Sequence, residues 1–323
     1  MRAGRADDDE VAAWQRDGWV LIEGLVPTDE IDAAADDLHA QFPTAEEYHA
    51  DPSGVRERWL GTPAEPPPGY TWPRTGPGFR PEQHRWQGEF PFPGSGRLNR
   101  LTVHPAIVDF ATRALQADDL RIYQTLTSAK YSGETNYEQP MHTDRNHSWL
   151  PSKSTPPWWH LESFLYLSDV HAGNAPTHLV RRADSGDRAT TVPLALPTGG
   201  PEHFGDPELY AAEQPAPGVR GSLLAYRTDV FHRGVDLIEP GAARFMMAIG
   251  FKIAGHDWIG YHAPQSRSTS PDWVAFAEGS SPRELALFGF PPPGHPIWDE
   301  SLLDATAKLY PNLDLAPWRR SLS

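Results

Sequence analysis

The sequence contains no cysteine among its 323 residues. Disulfide bonds, thiolate metal sites and cysteine nucleophiles are therefore excluded, and histidine and carboxylate side chains remain as the strong metal ligands. Any metal site built from these groups would suit Fe(II), manganese or zinc.

Basic residues are scarce. The chain has 28 Lys and Arg against 43 Asp and Glu, a net charge of −15, so neither nucleic acid nor an anionic membrane is expected as a partner. The N-terminal residues lack the apolar core of a signal peptide, and no segment approaches the roughly 20 apolar residues of a membrane span. We therefore expect a soluble, cytoplasmic protein.

The first 115 residues show mainly helical patterns. Helices are predicted over residues 8–17, 28–41 and 105–115, with a strand at 19–22 and Thr28 as the cap of the second helix. Residues 52–98 are rich in Pro and Gly, and we expect a long loop there, either a substrate lid or a belt packed on the core. Its aromatic residues are Trp59, Tyr70, Trp72, Phe79, Trp86, Phe90 and Phe92.

From residue 120 the patterns are those of short strands separated by turn residues, which favours an antiparallel sandwich or jelly roll. Strands are predicted at 121–130, 161–167, 177–180, 189–192, 222–226, 230–231 and 244–252. Helices return at 272–278, 282–287 and 299–310, in an extension that packs outside the sheet or covers its mouth.

His142 and Asp144 are the first candidate metal ligands. In extended backbone, residues two apart point to the same face, so an imidazole nitrogen and a carboxylate oxygen can hold one ion. The same tripeptide pattern occurs at His49 and Asp51, where a polar run and neighbouring Pro and Gly indicate a surface position. His142 instead follows a segment rich in β-branched and aromatic residues.

A third candidate ligand, His232, follows a Gly turn and an apolar strand beginning at Gly221. Arg244 then begins a strongly apolar strand one hairpin later. A guanidinium at the start of an inward-facing strand needs an anion, and the short hairpin places it near the same pocket as His232.

These residues, in this order, resemble the phytanoyl-CoA dioxygenase family of Fe(II)- and 2-oxoglutarate-dependent oxygenases. The family carries His-x-Asp, a distal His, and an Arg about a dozen residues further on. The likeness extends to the segment from Asp17 to Leu25 and covers roughly residues 10–40 and 120–252. It implies a mainly β fold of α+β type, a double-stranded β-helix (jelly-roll) core with N-terminal and C-terminal helices, in a single domain over residues 1–323.

The resemblance implies that His142, Asp144 and His232 bind Fe(II), and that 2-oxoglutarate and O2 take the remaining positions. Arg244 would pair with the far carboxylate of the cosubstrate. The reaction would hydroxylate, or otherwise oxidise, an unactivated C–H bond of a small organic molecule and release succinate and CO2. The carboxylate of Asp144 argues for oxygenation, because halogenating relatives have Gly or Ala there.

The chain departs from the family at Gly234, where many members have Ser or Thr to help hold the cosubstrate. Lys130 and Thr228 are candidates for that missing contact. Phe164 falls where relatives place an aromatic residue along the cosubstrate pocket, although a strand Phe also suits plain core.

Two other functions stay open on the sequence alone. One is a cupin-like metal enzyme that does not use 2-oxoglutarate, which would not need Arg244. The other is a non-catalytic metabolite-binding protein, against which the intact candidate site counts. The aromatic segment suggests an apolar or ring-bearing substrate; the oligomeric state is not indicated.

Overall fold

The computed structural model describes residues 4–61, 81–144, 155–186, 206–256, 259 and 271–322. These residues form two antiparallel sheets surrounded by helices. The strands are β1 (Trp19–Ile22), β2 (Gln87–Glu89), β3 (Leu120–Tyr131), β4 (His160–Tyr166), β5 (His178–Leu179), β6 (Gln214–Pro215), β7 (Leu223–Tyr226), β8 (His232–Arg233) and β9 (Ala243–Ile253).

The α-helices lie mostly before β3 and after β9. They are α1 (Asp8–Asp17), α2 (Thr28–Ala33), α3 (Ala35–Gln41), α4 (Ala45–Ala50), α5 (Pro52–Leu60), α6 (Gly96–Leu101), α7 (Pro105–Leu115), α8 (Pro207–Ala212), α9 (Pro271–Glu278), α10 (Pro282–Leu287), α11 (Glu300–Leu309) and α12 (Ala316–Arg320). The antiparallel strand core with flanking helices confirms the predicted fold class at this level.

The larger sheet has the strand order β1-β7-β4-β9-β3-β2, and the smaller one the order β6-β5-β8. The central pair, β3 and β9, runs in register from Lys130 opposite Arg244 to Gln124 opposite Gly250, beyond which β3 has a bulge. Because side chains alternate along a strand, this pairing fixes which residues share a face over seven consecutive positions.

The two faces of the larger sheet have different environments. On β9, Phe245, Met247 and Ile249 belong to the main hydrophobic core, while the alternate residues Arg244 and Met246 line a cavity. The helices of both ends of the chain cover the core face, and the smaller sheet carries His232 on the cavity side. The alternation of β9 therefore separates packing residues from residues available for chemistry.

The N-terminal predictions were confirmed for α1, β1 and α7. One prediction was wrong: residues 28–41 form two helices that meet at Ala34, and Thr28 does not cap the first of them. Pro27 occupies the N-cap position, so the Thr28 hydroxyl lies one residue too late to receive the amide hydrogen bond of a cap.

The segment 52–98, expected to be a long loop, contains helices and a strand in its described parts. Its start forms helix α5, because Asp51 accepts a hydrogen bond from the amide of Gly54 and Pro52 occupies the first turn. Trp86, Phe90 and Phe92 are buried in the main core, while the middle of the segment, from residue 62 to 80, lies outside the described residues.

Six of the seven predicted strands fall within the described residues, and five of them match observed strands. The strand predicted at Val230–Phe231 is instead found at His232–Arg233, because the amide of Val230 is bonded to the Arg227 carbonyl in a turn. The strand predicted at 189–192 lies outside the described residues. β2 and β6 were not predicted.

The C-terminal helices pack on the core face of the larger sheet. Trp273, Phe276, Leu303 and Trp318 belong to the main core, and the Phe90 ring stacks on Phe288 at 4.9 Å between centroids. For the described helices of this extension, packing outside the sheet is therefore the observed placement, while residues 260–270 lie outside the described residues. None of the helices in the described part of the chain has the length and apolar character needed to cross a membrane.

Candidate metal centre

Backbone hydrogen bonds hold His142 and His232 next to each other. The His142 amide donates to the His232 carbonyl at 3.0 Å, and the His232 amide donates to the His142 carbonyl at 2.8 Å. The two imidazole centroids are 4.5 Å apart, and both residues are buried. A hydrogen-bonded antiparallel pair thus brings together two histidines that are far apart in the sequence.

Both imidazoles are held in one tautomer. Nδ1 of His142 lies 2.7 Å from the Pro140 carbonyl, and Nδ1 of His232 lies 3.0 Å from the Val230 carbonyl. A carbonyl only accepts, so each Nδ1 carries the proton and donates it, which leaves a lone pair on each Nε2. This is the arrangement in which neutral histidines bind metals, with an outer partner that fixes the ring.

Asp144 completes the cluster. Its Oδ1 is 3.9 Å from Nε2 of His142, and its Oδ2 is 3.4 Å from Nε2 of His232. One donor atom from each of the three residues lies within 4.8 Å of the other two. Two imidazole nitrogens and one carboxylate oxygen on one side of a cavity suit a divalent ion such as Fe(II), manganese or zinc, and leave its remaining positions open.

Tyr226, which the sequence analysis missed, orients the carboxylate. Its hydroxyl donates to Oδ2 of Asp144 at 2.8 Å, and its ring lies 4.7 Å from that of His232. Burial raises the pKa of Tyr226 well above its ordinary value, so the hydroxyl keeps the proton that it donates. The one feature of the sequence that could have indicated Tyr226 is its position at the end of a predicted strand, six residues before His232.

Arg244 and Lys130 lie opposite each other on β9 and β3 and line the same cavity as the three candidate ligands. Arg244 is buried and donates from Nη1 to the Ala175 carbonyl. Its Nε is also buried and has no hydrogen-bond partner among the residues that the structure describes. A buried guanidinium with an unused donor is suited to an anion.

Lys130 adds a second cation at this end of the cavity. Its ammonium lies 4.7 Å from the centroid of the Tyr137 ring. Burial and the neighbouring Arg244 charge hold the pKa of Lys130 well below its ordinary value. Two cations held close together repel each other, and a carboxylate between them would relieve the repulsion.

Gly234 makes room for this arrangement. A Cβ atom at this position would lie 2.9 Å from Oε1 of Gln139 and 3.3 Å from Nζ of Lys130. Gln139 in turn accepts a hydrogen bond from the Gly234 amide at 3.0 Å. Gln139 and Lys130 thus occupy the space beside Gly234, whereas the other candidate, Thr228, is buried but does not line the cavity.

The cavity that joins these groups has a volume of about 260 Å³. Phe164 lines it, half-buried, with its ring 5.8 Å from that of Tyr226. His49, from the second tripeptide, is not part of the site: its Nε2 lies 3.1 Å from the Ala242 carbonyl.

The segment 52–98 contributes polar rather than aromatic side chains to the cavity. Its lining residues are Gln83, His84 and Gln87. Of its described aromatics, Trp86, Phe90 and Phe92 are in the core and Trp59 is exposed. Tyr70, Trp72 and Phe79 lie outside the described residues. The three buried aromatics therefore pack on the core, as in the second of the two predictions for this segment. Because they do not line the cavity, they give no support to an apolar substrate.

No family model matches the chain, and no curated protein matches its sequence. Solved structures do resemble it. The crystal structure of SnoK, a non-heme alpha-ketoglutarate-dependent carbocyclase from nogalamycin biosynthesis, aligns with a TM-score of 0.52 at 16% identity, over 83% of this chain and 92% of that one. The apoform of EctD from S. alaskensis aligns with a TM-score of 0.51 at 17% identity, over 79% and 80%. The chain therefore shares its fold with these two proteins.

Proposed function

We propose that this protein is an Fe(II)- and 2-oxoglutarate-dependent oxygenase that hydroxylates or otherwise oxidises an unactivated C–H bond of a small molecule, releasing succinate and CO2. One observation carries the proposal. The His142, Asp144 and His232 cluster and the Lys130 and Arg244 pair line a single cavity. A metal-binding face next to a buried anion site is what a metal-chelating dicarboxylate requires.

The fold and the motif order support a place in the phytanoyl-CoA dioxygenase family, with the two sheets forming a double-stranded β-helix within one domain. SnoK, one of the proteins that share the fold, is described as alpha-ketoglutarate-dependent. The family name does not set the substrate, and the chain's charge of −15 offers little attraction to the pyrophosphate of a CoA ester.

Each residue of the site has a defined task in this function. His142 and His232 present their Nε2 lone pairs because the Pro140 and Val230 carbonyls hold the Nδ1 protons. Tyr226 keeps the Asp144 carboxylate turned toward the same point. When bound, iron and 2-oxoglutarate would supply the O2-dependent oxidation.

The cationic end of the cavity orients the cosubstrate. Arg244 would donate to its far carboxylate with the Nε that is unpartnered among the described residues, and Lys130 would add a second charged donor where relatives use Ser or Thr. Phe164 would provide an apolar wall beside the carbon chain. The Asp144 carboxylate occupies the position that halogenating relatives leave open, which favours oxygenation.

Anaerobic titration of the metal-free protein with Fe(II) and then 2-oxoglutarate tests the proposal. We expect the weak visible charge-transfer band of the chelate to saturate at a single equivalent of cosubstrate. His142→Ala should abolish the band, and Arg244→Ala should shift its appearance to much higher cosubstrate concentration.

His49→Ala is the matched control, because it removes the histidine of the other His-x-Asp tripeptide, which lies outside the cluster. It should titrate like the wild type. Metal binding without a band would instead support the cupin-like enzyme, and the absence of metal binding would support a non-catalytic binding protein.

A further inference from the structure

Three adjacent strands place a polar row at the end of the cavity away from Arg244. Gln124 on β3 pairs with Gly250 on β9. On the other side of β9, Leu161 of β4 pairs with Phe251, so the next residue of β4, Glu162, falls beside Gly250. Gln124 and Glu162 both line the cavity that holds the three candidate ligands.

Gly250 makes room for this row. A Cβ atom there would lie 3.0 Å from Oε2 of Glu162 and 2.9 Å from Cζ of Tyr123, closer than side chains tolerate. The absence of a side chain at this position therefore lets the Glu162 carboxyl group and the Tyr123 ring lie close over the β9 backbone. We call the part of the cavity wall formed by Gln124, Gly250 and Glu162 the acceptor recess.

The cavity is therefore polarised along its length. Lys130 and Gln124 are six residues apart on β3, which corresponds to about 20 Å of strand. A dicarboxylate is attracted to the cationic end, so the cosubstrate is expected there and not beside Glu162. Glu162 also lies opposite Tyr226 on β7, whose hydroxyl binds Asp144, so the acceptor recess adjoins the candidate metal centre. The position of the recess suits the substrate rather than the cosubstrate.

The recess offers hydrogen-bond acceptors. Oε1 of Gln124 is buried and has no hydrogen-bond partner within the described ranges. Glu162 is buried as well, with 3% of the residue exposed. Buried acceptors are stabilised by donors, and a carboxylate is best stabilised by a charged one. We propose that the substrate carries a protonated primary or secondary amine, which donates to Glu162 and to Oε1 of Gln124. This inference rests on the proposed function, because it assigns the substrate of the same cavity.

Burial supports the assignment, because it raises the pKa of Glu162 to about 8. A carboxyl group that is protonated at neutral pH can pass its proton to an entering neutral amine. The resulting ammonium and carboxylate have the same total charge as the two neutral groups, so no net charge is added to the interior.

Calorimetric titration of the Ni(II)-loaded protein, saturated with 2-oxoglutarate, tests the proposal with n-butylamine and with 1-butanol of the same length. The wild type should bind the amine about tenfold or more tightly than the alcohol, as expected for a charge-assisted pair. Glu162→Gln, which keeps the shape of the side chain, should bring the two affinities to within about twofold of each other. Glu57→Gln removes an exposed carboxylate of α5 and is the matched control; it should behave as the wild type.

Gln124→Leu is a second variant that removes the amide acceptor without touching Glu162, and it should reduce the preference for the amine partially. The proposal is overturned if the wild type does not bind the amine, binds both probes equally, or keeps its preference in Glu162→Gln. Binding of 2-oxoglutarate, measured in the same samples, should be unchanged in every variant. If the wild type failed to bind 2-oxoglutarate, the proposed oxygenase function would be wrong. Titration of the metal-free protein with both probes would then test amine binding at the acceptor recess separately.

Discussion

The Tyr226 hydroxyl donates to Oδ2 of Asp144 at 2.8 Å, which makes Tyr226 the orienting partner of the one carboxylate in the candidate metal centre. Tyr226→Phe keeps the ring against His232 and removes only this hydrogen bond. Loss of such an outer partner typically weakens metal binding roughly 10- to 100-fold. Calorimetric titration of the metal-free protein with Ni(II) should show a decrease in this range.

Tyr166→Phe is the control for that variant. Tyr166 is a buried tyrosine on the neighbouring strand, and its hydroxyl donates to the Ala216 carbonyl rather than to a ligand. It should lose some stability and keep its metal affinity. Equal Ni(II) affinity in Tyr226→Phe and the wild type would show that Asp144 is positioned by other contacts.

Lys130→Met should separate stability from cosubstrate binding. Burial lowers the pKa of Lys130, so its charged form is less stable in the folded chain than in water, and replacing it should raise the free energy of unfolding by on the order of 1 kcal/mol. The same change removes a charged donor from the anion site and should weaken 2-oxoglutarate binding roughly tenfold or more. Urea denaturation and the charge-transfer titration measure the two effects. A less stable variant with normal cosubstrate affinity would contradict this role.

Glu162 should make the stability of the protein depend on pH. Its pKa is about 8 when folded, against an ordinary value of 4.5. Between these pH values the folded chain holds a proton that the unfolded chain has lost, so the free energy of unfolding should fall by roughly 1.4 kcal/mol per pH unit as pH rises. Tyr226, opposite Glu162, stays protonated throughout because burial raises its pKa.

Glu162→Gln should remove that contribution, so its advantage over the wild type should grow from about pH 5 to pH 8 and then level off. Urea denaturation at several pH values measures it. Glu57→Gln, at an exposed position, should run parallel to the wild type. Parallel curves for Glu162→Gln and the wild type would mean that Glu162 ionises normally in the folded protein.

Gly18→Ala should disturb the site from a distance. Gly18 has a φ of +87°, and a Cβ atom there would lie 2.5 Å from Cγ2 of Val230, the residue whose carbonyl holds the His232 imidazole. We expect a loss of about 1–3 kcal/mol of stability together with weaker Ni(II) binding. Gly24→Ala is the control, since Gly24 also has a positive φ of +58° but nothing lies within 4 Å of the added atom. If both variants kept the wild-type Ni(II) affinity, the contact with Val230 would have no influence on the site.

Residue order was informative for the site because its chemistry depends on a few side chains at recognisable intervals. His142, Asp144, His232 and Arg244 were predicted as partners, and the structure places them around one cavity. Tyr226 could not be found in the same way, since a tyrosine in an apolar strand has the pattern of a core residue. Its role depends on the pairing of β7 with β4, which a single sequence does not contain.

Local signals explain the errors in the fold. Pro52 and Gly54 indicated a loop, yet Asp51 caps the helix that they begin. Glu162 was hidden for a different reason: it lies in a strand of mostly apolar residues, and only the register with Gly250 shows that it faces the cavity. Alternation along a strand predicts two faces, but it does not say which face packs and which surrounds a cavity.

The reciprocal backbone hydrogen bonds between His142 and His232 have a consequence for metal exchange. Because the main chain holds the two imidazoles together, the arrangement of ligands belongs to the folded polypeptide and does not depend on an ion to assemble it. We expect that an ion bound by these residues can be removed without loss of the fold. Chelation should therefore be reversed by simple remixing with the ion, with no refolding step between the empty and the loaded forms.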